Sequence, residues 1–494
     1  MSADLDAIIH INAAAPIGRI DPHVYGQMFE NAGSCVYDGL WVGEDSAIPH
    51  WRGIRTDTLD KLRAVRTSII RWPGGTPSET YHWREGVGPR GDRPGSLLAG
   101  SCWNSPGESN AFGTDEYIAL CRELDCEPYI CVNVGTGTAE EAAHWVEYCN
   151  HGGDTPLAAL RKANGHPEPF GVKYWGIGNE CYWLHDDPAD YATLLRHYVK
   201  VMKLVDPTIK IVAAGNLIID PPGAAPAGKW EDDGTWNRTV LTRCGLEIDY
   251  ISTHPYWGID GRRIKGFDDF MGCPARVERL VGRLSEMIRE ITGEDRIRIA
   301  LDEWQVIHEG KSDNGGLQTC KLQDALYAAS FFHVMYRHSD RVGMSNLCNL
   351  VNCLPAIVTD GSRMYLNPIY HAIDLYANHS GTAVLAAQVE VAARDDVPYL
   401  DCAATFDEPS GRLNVALINR HRTQDIACQI AISGRRPRPQ GRVFELGGES
   451  ELAANDFDDP DNVVTTERAV DGLGERIAYG CPAHSITVVE MSTY

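Results

Sequence analysis

The chain has 494 residues, more than one ordinary domain needs and enough for a barrel of about 250 residues with a second unit. Apolar residues make up 43% and charged residues 23% of the chain, an ordinary balance for a globular protein. The net charge of −23 argues against nucleic acid or an anionic membrane as a partner, because both require basic surfaces.

The N-terminal segment and the cysteines bear on the cellular compartment. Asp4 and Asp6 lie where a secretory signal would be basic, and no apolar run approaches the ~20 residues of a membrane span. The fifteen cysteines are scattered without a CxxC pair, so their spacing indicates neither a zinc site nor a disulfide framework. We therefore expect mostly reduced, buried cysteines and a cytoplasmic protein.

Strand-like and helix-like runs alternate from about residue 20 to residue 377. The strand candidates are 23–30, 67–73, 127–134, 173–180, 209–216, 248–256, 297–304 and 341–352. Amphipathic stretches such as 56–66 and 275–291 lie between them, with apolar residues at helical spacing. Eight alternations predict a (β/α)8 TIM barrel rather than an open doubly wound sheet, and no GxGxxG motif follows an early strand.

The helical period stops after about residue 378. Short strand-like runs follow at roughly ten-residue spacing, which is typical of an antiparallel sandwich; they are 384–393, 399–406, 413–419, 426–433 and 485–491. The alternating segment 7–13 can add a strand to them. We therefore predict a catalytic barrel domain at 20–377 and a C-terminal β-sandwich domain formed by 378–494 plus 1–19.

Two of the barrel strand candidates end in a glutamate, Glu180 in KYWGIGNE and Glu303 in IRIALDEW. A barrel enzyme carries its catalytic groups at the C-terminal ends of its strands. Counting strands places Glu180 on the fourth and Glu303 on the seventh, across the barrel mouth from each other. Two such carboxylates can cleave a glycosidic bond, one by donating a proton to the leaving oxygen and the other by attacking the sugar carbon.

Period-two alternation predicts which side chains of these two strands face inward. The predicted inward series are Tyr174, Gly176, Gly178 and Glu180 on the fourth strand, and Ile297, Ile299, Leu301 and Glu303 on the seventh. Asp302 falls on the other face and is interpreted as a structural partner at the strand end.

Two long connections rich in glycine and proline, 86–113 and 220–236, carry Trp103, Trp230 and Trp236. Long connections of this kind are usually functional or disordered. A tryptophan there suits stacking on a sugar ring, and a local hydrophobic anchor is an equal alternative for any one of them.

Several motifs resemble glycoside hydrolase family 51, the α-L-arabinofuranosidases, within the 4/7 superfamily of retaining glycosidases. They are GQMFENAGSCVYDGLWVGEDSAIPHWRGIRTD, IIRWPGG, YHWREGVGP, VEYCNH, WGIGNE, ISTHPYWG, LDEW and NLVN. They occur in consistent order from about residue 20 to residue 375. The resemblance implies release of terminal α-L-arabinofuranose from oligosaccharides, with no cofactor, no metal and a homo-oligomeric assembly.

The resemblance also implies roles for individual residues. Glu180 would be the acid/base and Glu303 the nucleophile. Asn179 would hold the sugar 2-hydroxyl, and Glu30 would bind sugar hydroxyls. His254 occupies a sixth-strand position of the family.

Two further positions are implied to support the carboxylates. A hydroxyl at Tyr256, also on the sixth strand, can orient the nucleophile carboxylate and keep it ionised. Arg71 in RWPGG matches a second-strand arginine that supports the carboxylates by its charge.

Three positions near the expected sugar subsite depart from the family pattern. Thr76 follows RWPGG where Asn or Cys is usual, and Asn349 precedes LVN where Gln is common. Asn31 follows Glu30 where His is common. These departures leave the catalytic pair intact and bear on which sugar is bound.

Other functions are less consistent with the sequence. A non-catalytic sugar-binding protein on the same fold would need neither glutamate, and both are present. A metal-dependent barrel hydrolase would need ligand clusters such as HxH or HExxH, which do not occur. Within the glycosidases, an endo-acting β-glucanase and a hydrolase of another furanoside stay open.

Overall fold

The computed structural model describes residues 5–99, 107–259, 264–308 and 317–494. Eight parallel strands close into a barrel in which each strand pairs with its neighbours in sequence, and the last pairs with the first. The strands are Gly26–Met28, Ile69–Trp72, Glu127–Val132, Tyr174–Ile177, Lys210–Ala213, Tyr250–Ser252, Arg298–Trp304 and Val342–Leu347. Each lies within a strand predicted from the sequence, so the predicted TIM barrel is confirmed.

Helices cover the outside of the barrel. They are α1 Thr56–Ala64, α2 Thr114–Glu123, α3 Ala139–Asn150, α4 Pro156–Ala163, α5 Pro188–Val205, α6 Thr235–Cys244, α7 Phe267–Met271, α8 Cys273–Thr292, α9 Leu322–Arg337 and α10 Pro368–Asn378. Local capping sets several starts: the side chain of Thr138 accepts from the Glu141 amide at the start of α3, and that of Asp187 accepts from the Ala189 amide before α5. Within the described ranges, none of these helices has the length and apolar character to cross a membrane.

The barrel interior is filled by side chains from alternating positions of seven strands. They are Ile69, Tyr129, Cys131, Tyr174, Val212, Tyr250, Ala300 and Met344. The residues between these positions pack outward against the helices. The inward positions predicted for Tyr174 and Gly176 agree with this arrangement, since a Cβ on Gly176 would lie 3.0 Å from both Cys131 Sγ and Tyr129 Oη.

The prediction that Ile297, Ile299 and Leu301 point into the barrel is wrong. All three belong to the hydrophobic cluster on the helix side, whereas Ala300 lies in the interior cluster. Strands of a parallel barrel are buried on both faces, so an alternating apolar series does not distinguish inside from outside.

An irregularity at the end of the seventh strand positions its two acidic residues. Its pairing with the eighth strand changes register between Leu301 and Trp304. Such an irregularity breaks the alternation of side chains. As a result Asp302, which continues the inward series of Ala300, and the next residue, Glu303, both reach the barrel mouth.

The C-terminal region forms one nine-stranded sheet that includes the N-terminal strand Leu5–Arg19. In spatial order its strands are Thr466–Asp471, Pro437–Leu446, Ser485–Thr493, Arg412–Asn419, Leu400–Asp407, Ala383–Glu390, Leu5–Arg19, Ile426–Ser433 and Arg476–Cys481. All pairs are antiparallel except Leu5–Arg19 with Ile426–Ser433, which is parallel.

The two faces of this sheet have different partners. One face encloses its own core, to which eight of the strands contribute buried side chains and the edge strand Thr466–Asp471 a partly buried one. The other face places Ala403, Ile418, Phe444 and Val488 in the core that surrounds the barrel. The sheet domain therefore packs on the helical layer around the barrel.

Candidate active site

Arg71 is the charged centre of the barrel mouth. The second strand places it inside the barrel, where it is 1% exposed. Its Nη1 donates to Glu303 Oε2 at 2.6 Å, and its Nη2 donates to Asn179 Oδ1 at 2.6 Å. Its Nε lies 3.6 Å from Asp302 Oδ2. One guanidinium thus connects the ends of the second, fourth and seventh strands.

Glu303 is held by both of its carboxylate oxygens. Tyr256 Oη donates to Oε1 at 3.0 Å, and Arg71 Nη1 approaches Oε2 from the other side. His254 Nδ1 lies 3.5 Å from the same Oε2. Donors and positive charge therefore surround this carboxylate and fix its orientation at the strand end.

His254 lies between the two glutamates. Its Nδ1 is 3.0 Å from Glu180 Oε1, and its Nε2 is 3.0 Å from Ser252 Oγ. Burial alone would lower the pKa of His254, but the carboxylates of Glu303, Asp302 and Glu180 raise it to about 10. The imidazole is therefore protonated at neutral pH and donates a hydrogen bond from each ring nitrogen.

Asp302 is part of the site, and the interpretation that it points away from the barrel mouth is wrong. Tyr129 Oη donates to its Oδ2 at 2.7 Å, and Ser252 Oγ donates to its Oδ1 at 2.5 Å. Burial would raise the pKa of Asp302, but Arg71 and His254 hold it below its usual value. Asp302 is therefore an anion that lies close to both cations, Arg71 and His254. Neither Asp302 nor Ser252 was among the predicted site residues.

Glu180 follows the fourth strand in a left-handed backbone conformation, with φ of 43°. Gly178, two residues earlier, has φ of 79°, and a Cβ there would lie 2.5 Å from Cys181 Sγ. Trp183 Nε1 donates to Glu180 Oε2 at 3.1 Å. Burial opposes ionisation of Glu180, but the hydrogen bond and charge of His254 outweigh it and lower the pKa of this carboxyl.

Glu30 forms a second buried carboxyl beside Glu303. Its Oε1 accepts from Asn349 Nδ2 at 2.8 Å, and its Oε2 accepts from the Gly75 amide at 2.9 Å. A Cβ on Gly75 would lie 2.9 Å from Glu30 Oε2 and 3.1 Å from Glu303 Oε2, so a larger residue here would displace one or both carboxylates. Burial and the charge of Glu303 raise the pKa of Glu30 to about 7.

Glu79 lies at the end of the 3-10 helix Thr76–Glu79, and sequence reasoning missed it. Its Oε1 accepts from the backbone amide of Asn179, the residue before Glu180, and its Oε2 has no hydrogen-bond partner among the residues that the structure describes. Burial raises the pKa of Glu79 to about 8. The only sequence signal was its position three residues after Thr76, in the connection that follows the second strand.

The predicted site residues are distributed as follows. Glu180, Glu303, Arg71, Asn179, His254 and Tyr256 form one hydrogen-bonded network, and Glu30 with Asn349 adjoins it. Thr76 is exposed at the start of its 3-10 helix.

The three tryptophans of the long connections differ from one another. Trp236 is buried in α6, where its Nε1 donates to Ala214 O at 2.9 Å, so it is a core anchor. Trp230 is half-buried. Trp103 lies outside the described residues.

Glu180, His254 and Glu303 are also the set with which the described part of the chain could ligate a cation. One ligand atom from each lies within 4.8 Å of the others. A protonated imidazole has no free lone pair for a metal ion. The cluster therefore suits proton and hydrogen-bond chemistry better than metal binding.

Two family models match the chain. One, described as an α-L-arabinofuranosidase 1 domain, matches residues 61–247, and another, described as an α-L-arabinofuranosidase C-terminal domain, matches residues 302–485. An intracellular exo-α-L-arabinofuranosidase of Bacteroides ovatus is 32% identical over 485 residues, covering 94% of this chain and 91% of that protein.

Solved structures show the same relationship over the whole chain. The α-L-arabinofuranosidase from Thermotoga maritima, in an arabinose complex, is 33% identical with a TM-score of 0.89, covering 99% of this chain and 100% of that one. The GH51 arabinofuranosidase from Xanthomonas axonopodis pv. citri is 27% identical with a TM-score of 0.89, at the same coverage.

We predict that Glu79 positions the backbone that carries Glu180. Glu79→Ala removes the acceptor of the Asn179 amide, and an unsatisfied buried donor costs about 1–3 kcal/mol. If this cost falls on the transition state, kcat on a nitrophenyl α-L-arabinofuranoside should fall about 5–150-fold. Glu79→Gln retains an oxygen that can accept this bond and should recover most of kcat.

Asp115→Ala is the matched control, because Asp115 is a buried carboxyl outside the site that accepts from Tyr148 Oη at 2.7 Å. It should lower the melting temperature and leave kcat unchanged. A Glu79→Ala variant with unchanged kcat, or a Glu79→Gln variant as slow as Glu79→Ala, would contradict the positioning role.

Proposed function

The chain belongs to the α-L-arabinofuranosidases of glycoside hydrolase family 51, and we propose that it releases terminal α-L-arabinofuranosyl residues from oligosaccharides by double displacement. In this mechanism Glu303 is the nucleophile and Glu180 is the acid/base. The sugar is first transferred to Glu303 with departure of the leaving group, and water then releases it with retained configuration.

The distance between the two glutamates carries this proposal. An oxygen of Glu180 lies within 4.8 Å of an oxygen of Glu303. Retaining glycosidases separate their two carboxyl groups by about 5–5.5 Å, whereas inverting enzymes leave about 6.5–9.5 Å for a water molecule between them. The observed spacing leaves no room for that water and supports direct attack by a carboxylate.

The environment of Glu303 supports its role as nucleophile. Arg71 and Tyr256 hold both oxygens, so the carboxylate is oriented before substrate binds. Preorganisation of this kind spares the reaction the cost of aligning the attacking group. Attack neutralises the negative charge of Glu303 as the glycosyl ester forms. When the ester breaks, Arg71 and Tyr256 are in place to stabilise the carboxylate that forms again.

The pairing of Glu180 with His254 supplies the proton of the acid step. In the free enzyme the proton is on His254, and Glu180 is ionised. The Nδ1 to Oε1 distance of 3.0 Å permits its transfer when a bound sugar excludes water and makes the separated charges less favourable. Glu180 then protonates the leaving oxygen, and its carboxylate later takes a proton from the attacking water.

The remaining predicted residues suit recognition of the sugar. Arg71 donates to the side-chain carbonyl oxygen of Asn179. The NH2 group of the same side chain is therefore the group able to donate to the sugar 2-hydroxyl. Asn349 is fully buried and acts through Glu30, which it orients, and Glu30 then binds sugar hydroxyls. Exposed Thr76 at the mouth would contact the sugar only at its outer edge.

We also retain the cytoplasmic and homo-oligomeric predictions. All the cysteines among the described residues are free and buried, which suits a reducing compartment. The similar Bacteroides ovatus protein is named as intracellular. The oligomeric state stays a prediction from the family resemblance, and light scattering on the purified protein would measure it.

We predict that Glu180→Ala loses activity on natural linkages by a factor on the order of 10²–10⁴, because a poor leaving group needs the proton. The glycosylation step for a nitrophenyl leaving group should be spared, and added azide should restore turnover by giving an arabinofuranosyl azide of retained configuration. Steady-state kinetics and NMR of the products measure both effects.

The contrasting variant is Glu303→Ala, which should be inactive on both substrates. Equal losses of Glu180→Ala on the two substrates without azide rescue, or an azide product of inverted configuration, would count against the assigned roles.

We predict that an α-L-arabinofuranoside is the best substrate. Thr76→Asn should change kcat/KM by no more than about 1–3 kcal/mol, the value of one hydrogen bond to a sugar hydroxyl. Thr423→Asn, at an exposed position of the sheet domain, is the control and should leave kcat/KM unchanged. If purified enzyme cleaves a galactofuranoside or a β-glucoside more efficiently, the substrate assignment is wrong.

A further inference from the structure

A chain of hydrogen bonds lies behind His254, on the side of the ring away from Glu180. Ser252 ends the sixth strand, and its Oγ lies 3.0 Å from Nε2 of His254, two residues later. The same Oγ donates to Asp302 Oδ1 at 2.5 Å. Ser252, His254 and Asp302 are all buried. Proton transfer between His254 and Glu180 involves only Nδ1 of the ring, so it leaves Ser252 and Asp302 without an assigned function.

The protons available fix the direction of these hydrogen bonds. Arg71 and His254 hold the pKa of Asp302 below its usual value, so this carboxyl is ionised and can only accept. Ser252 has one hydroxyl proton, which it donates to Asp302. The oxygen of Ser252 therefore accepts from Nε2 of His254. That nitrogen must carry a proton whether the imidazole is charged or neutral.

This requirement selects one tautomer of the neutral imidazole. When His254 gives its Nδ1 proton to Glu180 Oε1 across 3.0 Å, the ring keeps its Nε2 proton and directs the lone pair of Nδ1 at Glu180. Nδ1 can then take the proton back after Glu180 has removed one from the attacking water. Each transfer breaks one N–H bond and forms one O–H bond, or the reverse, and the Nε2 proton stays in place.

We propose that Ser252 and Asp302 are positioning residues that hold the Nε2 proton of His254, so that Nδ1 alone exchanges the catalytic proton with Glu180. Tyr129 Oη donates to the second oxygen of Asp302 at 2.7 Å and fixes the carboxylate in this orientation. The proposal rests on the proposed function, because it takes Glu180 as the acid/base.

The charge of Asp302 also bears on the pH range of activity. The carboxylates that face His254 are Glu180 from the end of the fourth strand and Asp302 and Glu303 from the seventh, and Arg71 of the second strand contacts the latter two. Burial lowers the pKa of His254, and the three carboxylates raise it to about 10. Removal of one negative charge should lower this pKa and move the alkaline limb of kcat/KM to lower pH.

The first test removes the hydroxyl of Ser252 and compares two leaving groups. Methyl α-L-arabinofuranoside needs the proton of Glu180, whereas the leaving group of a dinitrophenyl α-L-arabinofuranoside departs without it. Ser252→Ala should lower kcat/KM on the methyl glycoside about 10–150-fold, the effect of one hydrogen bond to a charged group, and on the dinitrophenyl glycoside less than about 3-fold. Ser252→Thr keeps a hydroxyl and should recover most of the loss.

The matched control for the hydroxyl is Ser285→Ala. Ser285 is buried in α8, outside the site, where its Oγ donates to Val281 O at 2.6 Å. This variant should leave kcat/KM unchanged on both substrates.

The second test removes the charge of Asp302 and keeps the shape of the side chain. Asp302→Asn should move the alkaline limb of kcat/KM on the methyl glycoside about 1–3 pH units lower. Asp115→Asn is the matched control, because Asp115 likewise accepts from a buried tyrosine hydroxyl, that of Tyr148, at 2.7 Å. It should leave the alkaline limb in place.

The outcomes separate this proposal from the proposed function. Equal losses of Ser252→Ala on the two substrates, or no loss on either, would overturn the positioning role, and so would an alkaline limb that Asp302→Asn leaves in place. Failure of azide to rescue Glu180→Ala would instead overturn the acid/base assignment. Melting temperatures establish that each variant is folded, and the alkaline limb of Asp302→Asn decides the proposal if Ser252→Ala does not fold.

Discussion

The active site depends on the charge of Arg71, which is buried where carboxylates from different strands converge. Asp302 and Glu303 lie within reach of its guanidinium, and Glu180 is connected to them through His254. Burying carboxylates together without positive charge would cost several kcal/mol for each ion. Arg71 and protonated His254 supply that charge, and they offset the repulsion among the carboxylates that converge at the barrel mouth.

The same two cations give the two glutamates different chemistry. Glu303 is bonded to a guanidinium, which does not release its proton, so its partner is permanently charged. Glu180 is bonded to an imidazole, which can release a proton across one hydrogen bond. One carboxylate is thereby kept as a nucleophile and the other is kept next to a transferable proton. The difference between a guanidinium partner and an imidazole partner, more than any difference in burial, gives the two glutamates their different catalytic roles.

Much of this arrangement could be predicted from the sequence, because strand ends with polar residues are local patterns. The eight barrel strands and the glutamates at 180 and 303 were found in this way. Asp302 was misplaced because strict alternation was assumed through a register shift that only the neighbouring strand reveals. Glu79 and Ser252 were missed because their roles arise from contacts with residues at the ends of other strands, Asn179 for Glu79 and Asp302 for Ser252. The strands Pro437–Leu446, Thr466–Asp471 and Arg476–Cys481 were missed because their exposed, charged residues weaken the apolar alternation.

The central claim is that the cleaved sugar becomes covalently attached to Glu303. A 2-fluoro-substituted arabinofuranosyl donor with an activated leaving group should form this ester and hydrolyse slowly, because the fluorine destabilises the transition state of both steps. Mass spectrometry of the digested protein then identifies the labelled peptide. The account predicts one added sugar per chain, on Glu303 in the segment Arg298–Trp304. A label on Glu180 or on Glu30 would contradict it, and so would full inactivation without any covalent adduct.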